Sequence, residues 1–140
     1  MSYIVDASVA VKWVVPEVLS DQAERLLTTD AELLAPELLL TEVANALWAK
    51  TRRRELTVRE SSRALALLME SGLVLRPSAP LLARALDIAH RLNHPVYDCI
   101  YLALAEREHA ILVSADRRLL ECAARGSIRA RVLDLRALKS

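Results

Sequence analysis

Short apolar runs and longer helical patterns alternate along the chain. Residues 3–6, 33–35, 73–75, 111–114 and 132–135 are brief, apolar or β-branched, and predict strands. The stretches between them carry apolar positions at helical spacing. Strands alternating with helices are the signature of a parallel sheet wrapped in helices, so the pattern predicts an α/β fold. Local punctuation agrees. Pro36 stands just before a helix over residues 37–53, Thr57-Val58-Arg59-Glu60 forms a capping box, and Gly72 supplies the stop of the helix that box opens. Pro80 opens the next helix near its first turn, and Asn93-His94-Pro95 closes it. No repeat, low-complexity segment or linker breaks the series. The 140 residues are enough for one domain, spanning 1–140, with a core that needs no disulfide.

Composition narrows the chemistry. With only two glycines, Gly72 and Gly126, the chain can build neither a Walker loop nor a dinucleotide fingerprint, and no G-x-S-x-G elbow. Cys99 and Cys122 form no close pair in sequence; Cys99 lies in an apolar run and reads as a small core residue, which fits a reducing compartment. No apolar stretch precedes Asp6 and none approaches the roughly 20 residues of a membrane span, so the expectation is a soluble, cytoplasmic protein without a signal peptide. A net charge of +1 is not that of a basic nucleic-acid coat, and 4% aromatic residues do not make a stacking platform for single strands. Yet 54% of the residues are hydrophobic and the mean hydropathy is +0.22. That excess predicts apolar surface covered by a partner or a second copy.

The acidic residues carry the candidate chemistry. Asp6 follows the apolar run Tyr3-Ile4-Val5 and reads either as a helix N-cap or as a carboxylate at the C-terminal end of a parallel strand, where α/β sheets bind ligands. Asp116 repeats the arrangement after Ile111-Leu112-Val113. Either it or Ser114 can cap the next helix, and one cap is enough, which leaves the other residue unexplained. Asp98 lies in Val96-Tyr97-Asp98-Cys99-Ile100-Tyr101, among apolar and aromatic neighbours. A helix dipole supplies a first-turn Asp with about 0.3–1 kcal/mol, against several for desolvating an unpaired carboxylate, so Asp98 needs a partner. Glu42 taken alone belongs to a solvated helix face, with Asn45 one turn on; it gains weight only if the fold brings it to Asp6. Carboxylates converging at a strand switch point repel and raise one another's pKa values. Hard divalent cations, Mg²⁺ or Mn²⁺, resolve that conflict, because they prefer carboxylate oxygens, water and phosphate to imidazole or thiolate.

Four blocks stand in order along the chain: Asp6-Ala7-Ser8-Val9-Ala10-Val11-Lys12-Trp13-Val14-Val15-Pro16-Glu17, Glu42-Val43-Ala44-Asn45-Ala46-Leu47-Trp48, His94-Pro95-Val96-Tyr97-Asp98 through Leu104-Ala105-Glu106, and Leu112-Val113-Ser114-Ala115-Asp116. Together they resemble the signature segments of PIN-domain ribonucleases, and more narrowly those of the VapC-type toxins of bacterial and archaeal toxin–antitoxin pairs. The resemblance implies a single three-layer α/β/α domain around a central parallel sheet. It also implies a Mg²⁺ (or Mn²⁺) site held by Asp6, Asp98 and Asp116, with Glu42 completing the catalytic set. Ser114, Ser8 and Asn45 are then expected to support these acids. The implied function is a metal-dependent endoribonuclease acting as a toxin, which hydrolyses RNA with metal-activated water and leaves 5′-phosphate and 3′-hydroxyl ends. The implied partners are an RNA substrate, a cognate small antitoxin and a second copy in a homodimer, with the antitoxin's tail bringing Arg or Lys close to Asp6 and Asp116. A housekeeping RNA-processing nuclease of the same family is one alternative; a non-catalytic doubly wound interaction module, its Asp residues mere caps, is another.

Three further features bear on this reading. Lys50-Thr51-Arg52-Arg53-Arg54 is a basic run at a helix C-terminus, where the dipole favours cations; Arg52, Arg53 and Arg54 are alternatively RNA-backbone contacts. His90 and His94 have an i,i+4 spacing suited to zinc, but the residue before Pro95 is pushed away from helical geometry, and His109 reads as a dipole partner. The apolar excess is expected at Trp13, Val14, Val15 and Pro16, and at Leu38, Leu39, Leu40, Leu47 and Trp48, unless all of these are core.

Overall fold

Every strand of the sheet is followed by a sequence that cannot stay extended, and that alternation sets the architecture. The computed structural model describes residues 1–126 and 128–138. Strands β1 (Ser2–Val5), β2 (Glu32–Pro36), β3 (Val74–Arg76), β4 (Ile111–Ser114) and β5 (Arg131–Asp134) form a five-stranded sheet in the order β3-β2-β1-β4-β5, with every pairing parallel. Between them lie α1 (Ala7–Val14) and α2 (Ser20–Leu27), α3 (Leu38–Arg52) and α4 (Val58–Met69), α5 (Leu82–Leu92) and α6 (Val96–Glu108), and α7 (Arg117–Arg125). Helix α1 packs with α2, α3 and α4, whereas α5 packs with α6 and α7. Right-handed crossovers place these two groups on opposite faces of the sheet, which gives three layers.

The chain winds outward from β1 through β2 to β3, then returns to β4 on the other side of β1. The winding reverses between β1 and β4, the position at which doubly wound sheets open a crevice beyond their strand ends. Val5 pairs with Val113 in register, so the next residues of both strands, Asp6 and Ser114, emerge side by side at that crevice. Ile4, Val5, Leu112 and Val113 are fully buried, as expected for central strands covered on both faces.

β2 runs one residue longer at each end than the pattern and β3 one residue later, at Val74–Arg76, while β1 and β5 end early where a side chain caps the backbone. β1 stops at Val5 and β5 at Asp134, one residue early, because Asp6 and Asp134 turn their carboxylates onto following backbone N–H groups. The capping box at Thr57 and Glu60 is formed, and Asn93 closes α5 in the left-handed region, with φ 50°. Helix α4 ends at Met69 rather than at Gly72; the glycine, at φ 83°, serves the turn into β3. His109, expected as a dipole partner, is itself the left-handed C-cap of α6. Both cysteines are buried and unpaired, and burial pushes the Cys99 thiol up to about 12. No helix among the described residues is long and apolar enough to cross a membrane.

The apolar surplus is placed differently from the expectation. Trp13, Val14, Val15, Leu38, Leu39, Leu40 and Leu47 sit in or against the core, the Trp13 indole N–H donating to Ala23 O at 2.7 Å. Trp48 is exposed as expected. The other large exposed apolar side chains include Val58 on α4, Leu82 and Leu86 one turn apart on α5, and Tyr97 on α6.

Candidate active site

Asp6 and Ser114 are the buried polar residues among those described, and they touch each other. The Ser114 hydroxyl donates to Asp6 Oδ2 at 2.5 Å, and the Ser8 hydroxyl donates to Asp6 Oδ1 at 2.5 Å. Each serine also accepts a backbone N–H from the β4–α7 junction, Ser114 from Asp116 and Ser8 from Ala115, both at 3.0 Å. Asp6 is also the N-cap of α1, accepting from Val9 N–H at 3.3 Å. The cap and the strand-end carboxylate, alternatives in the sequence, are therefore one residue doing both. Burial raises the Asp6 carboxyl to about 6, the hydrogen bonds from Ser114, Ser8 and Val9 pull against that rise, and the charge of Asp116 adds to it.

Asp116 caps α7 through Oδ1, which accepts from Arg118 N–H at 2.9 Å and Leu119 N–H at 3.4 Å. With Asp116 as the cap, the Ser114 hydroxyl is left to donate to Asp6. Glu42 is half-buried on α3, and its Oε1 accepts the hydroxyl of Tyr101 at 2.5 Å. Its carboxyl is raised chiefly by burial; the Tyr101 bond lowers it, and the charges of Asp98 and Asp116 raise it again. Asp98, in the first turn of α6, has its Oδ2 2.6 Å from Nε2 of His94. The fold thus brings together the acids that the sequence scatters: Asp116 acts on Asp6 and on Glu42, and Asp98 acts on Glu42.

The donor set is all oxygen and lacks a counter-charge. Among the described residues no Lys or Arg forms an ion pair with Asp6, Glu42, Asp98 or Asp116. Nor do any three His, Cys, Asp or Glu side chains there already form a cage for a cation. Carboxylates that repel one another with no Lys or Arg to pair them, and with His94 beside Asp98 alone, suit a hard divalent cation.

Other expected site residues lie elsewhere or play different parts. Asn45 is exposed and, among the described residues, makes no side-chain hydrogen bond. The basic run ends α3, about 15 Å along the helix from Glu42 at 1.5 Å per residue. Arg52 lies over the Trp48 ring, 5.4 Å from its centroid, Arg53 pairs with Glu55, and Arg54 is exposed at φ 62°. Two contributors escaped the sequence reading. Tyr101 was submerged in the apolar run of α6, although it sits three residues after Asp98 on the same helical face. His94 was weighed against His90 as a zinc pair, while its actual partner lies four residues the other way.

Comparison with known proteins places this arrangement in a family. The family described as PIN domain matches residues 3–125. Ribonuclease VapC3 of Pyrobaculum aerophilum is 39% identical over 123 residues, covering 86% of this chain and 94% of that protein. Among solved structures, that of PAE2754 from Pyrobaculum aerophilum superposes with a TM-score of 0.75 at 25% identity, covering 99% of this chain and 86% of that one. VapBC2 from Rickettsia felis, solved bound to a DNA fragment from its promoter, shares the fold at a TM-score of 0.64 and 13% identity, with 96% and 98% coverage.

Proposed function

The chain belongs to the PIN-domain family, and we propose that it is the ribonuclease toxin of a toxin–antitoxin pair, cutting RNA at the crevice between β1 and β4. The observation that carries the site is Asp6: a carboxyl buried at the switch point, tied to β4 through Ser114 and raised to about 6. Evolving a buried acid beside other acids is destabilising unless something binds there.

In this reading Asp6, Asp98 and Asp116 hold Mg²⁺ or Mn²⁺, and Glu42 completes the pocket. When bound, the cation offsets the carboxylate repulsion and stabilises the charge that develops on a phosphodiester under attack. The protein's own groups keep the acids in place. Ser8 and Ser114 fix both oxygens of Asp6, backbone N–H groups fix one oxygen of Asp116, and Tyr101 fixes one oxygen of Glu42. No pair of histidines is available to work on the ribose 2′-hydroxyl: His94 is engaged with Asp98, and His90 and His109 are exposed on other parts of α5 and α6. Cleavage therefore leaves 5′-phosphate and 3′-hydroxyl ends.

The partners follow from the apolar surface. The groove between α3 and α4, about 220 Å³ and lined by Ala44, Leu47, Trp48, Val58 and Leu65, suits an antitoxin segment. The stripe of Leu82 and Leu86 on α5, with Tyr97 on α6, suits a second copy of the chain. Expression in cells with and without the adjacent small gene tests the toxin assignment. Growth should stop when the chain is expressed alone and continue when both are present. A chain harmless by itself overturns the toxin role and leaves the nuclease in place.

A further inference from the structure

Asp98 differs from Asp6 and Asp116 in how its carboxylate is held. Asp6 and Asp116 are N-caps whose oxygens accept backbone N–H groups. Asp98 occupies the third position of α6, from which an acidic side chain can reach back to the backbone N–H of the N-cap residue. Here the N-cap is Pro95, which has no N–H to give. Among the described residues no backbone group donates to Asp98. Its one hydrogen-bonding partner is the imidazole of His94, at 2.6 Å.

The elbow between α5 and α6 is built to hold that ring. Asn93 ends α5 in the left-handed conformation, at φ 50° and ψ 54°, which turns the chain back on itself. The backbone N–H of His94 donates to Ala89 O at 3.1 Å, tying the residue to the end of α5. Its carbonyl faces the Cys99 thiol, which donates weakly at 3.9 Å. Pro95 fixes the next φ at −56° and starts α6. The His94 side chain is only 7% exposed, whereas the Asp98 side chain keeps 27% of its surface open. Against an ionised carboxylate, which can only accept, Nε2 is the donor to Oδ2, and among the described residues the other oxygen has no hydrogen-bond partner.

We infer that His94 is a positioning residue for Asp98: a buried ring, set by the α5–α6 elbow, that fixes which carboxylate oxygen the acidic pocket receives. The inference rests on the nuclease reading above, since it gives His94 a purpose only if Asp98 serves the site. A carboxylate in the first turn of a helix is otherwise free to rotate about its side-chain torsions. Partners that remove this freedom behind a metal-binding or catalytic group typically account for about 10–100-fold in affinity or activity.

The full-length chain carrying His94→Ala or His94→Gln tests this. Glutamine places an N–H close to where Nε2 stands, and alanine removes the donor. Three quantities are measured on wild type and both variants: Mn²⁺ affinity by calorimetry without RNA, kcat and KM on an RNA substrate in Mg²⁺, and the melting midpoint in EDTA. His94→Ala should lower Mn²⁺ affinity or kcat by about 10–100-fold with KM nearly unchanged, and lower the EDTA midpoint because a mostly buried ring is lost. His94→Gln should recover most of the loss. An alanine variant that binds Mn²⁺ and cleaves as wild type does overturns the inference. So does equal damage in both variants, since that shows the ring acting as packing. If wild type neither binds Mn²⁺ nor cleaves, the nuclease reading fails first and this role of His94 falls with it.

Discussion

Tyr101 on α6 donates its hydroxyl to Glu42 on α3, joining residues 59 positions apart in the chain. The tyrosine is almost wholly buried, so its hydroxyl has no water to fall back on, and Glu42 is the acceptor that satisfies it. The bond restrains a carboxylate whose charge is opposed by both Asp98 and Asp116. Tyr101→Phe removes the hydroxyl without changing the packing of the ring. It should destabilise the fold by about 0.5–1.5 kcal/mol, the net worth of one hydrogen bond, since the half-buried Glu42 can turn to water instead. RNA cleavage should fall while RNA binding holds. Urea unfolding and steady-state kinetics on the same preparation check both parts.

Asp6 makes the metal-free protein sensitive to pH in a defined direction. Its carboxyl stands at about 6 in the fold against an ordinary 3.8, so the folded state holds the proton more tightly than the unfolded chain. The contribution to stability is complete below the ordinary value and is lost as pH rises through about 6, a change of roughly 3 kcal/mol at most. Asp6→Asn removes the ionisation and can keep its contacts with Ser8 and Ser114. In EDTA the variant should melt above wild type at about pH 8, and the difference should vanish towards about pH 4. Calorimetry across that range decides the matter; a difference independent of pH contradicts the assignment.

The three aspartates should respond alike in activity and differently in stability. Asp6→Asn, Asp98→Asn and Asp116→Asn should each reduce cleavage by at least about 100-fold, more than the loss of an outer partner. Only Asp6 and Asp116 cap helices, so only these two substitutions disturb a helix start, and asparagine itself caps well. All three variants should therefore remain folded by circular dichroism. A variant that cleaves at the wild-type rate removes that residue from the site.

The exposed Leu82 and Leu86 on α5 should be covered by a second copy. Light scattering at micromolar concentration should give twice the 15.6 kDa chain mass, and Leu86→Glu should shift the protein towards monomer while its circular dichroism stays that of the folded chain. A wild-type chain that elutes as a clean monomer contradicts the dimer.

The parallel sheet was legible because each strand is a short apolar run and each crossover carries helical spacing. Boundaries slipped by one residue at β1 and β5, where the Asp6 and Asp134 side chains compete with the strand for backbone N–H groups, and also at β2 and β3, where no cap is involved. Asp6, Glu42, Asp98 and Asp116 could be picked out as acids in unusual company, but their mutual influence depends on strand order, which local pattern does not encode. The roles of Tyr101 and His94 were hidden for a related reason. A tyrosine in an apolar helix reads as core, and here it is core at one end and a donor at the other. His94 becomes meaningful only once Pro95 is seen to leave Asp98 without a backbone donor. The apolar surplus was misplaced onto Trp13 and Leu38–40 because composition says how much apolar surface exists and not which helix faces the neighbouring layer.

The claim that these carboxylates form an RNA-cleaving site is tested most directly by incubating the purified chain with total RNA in Mg²⁺ and in EDTA, and mapping the new ends. Wild type should cut in Mg²⁺, leave 5′-phosphate and 3′-hydroxyl termini, and be silent in EDTA, with Asp6→Asn silent in both. Cleavage that persists in EDTA, or that leaves 2′,3′-cyclic phosphates, would contradict it.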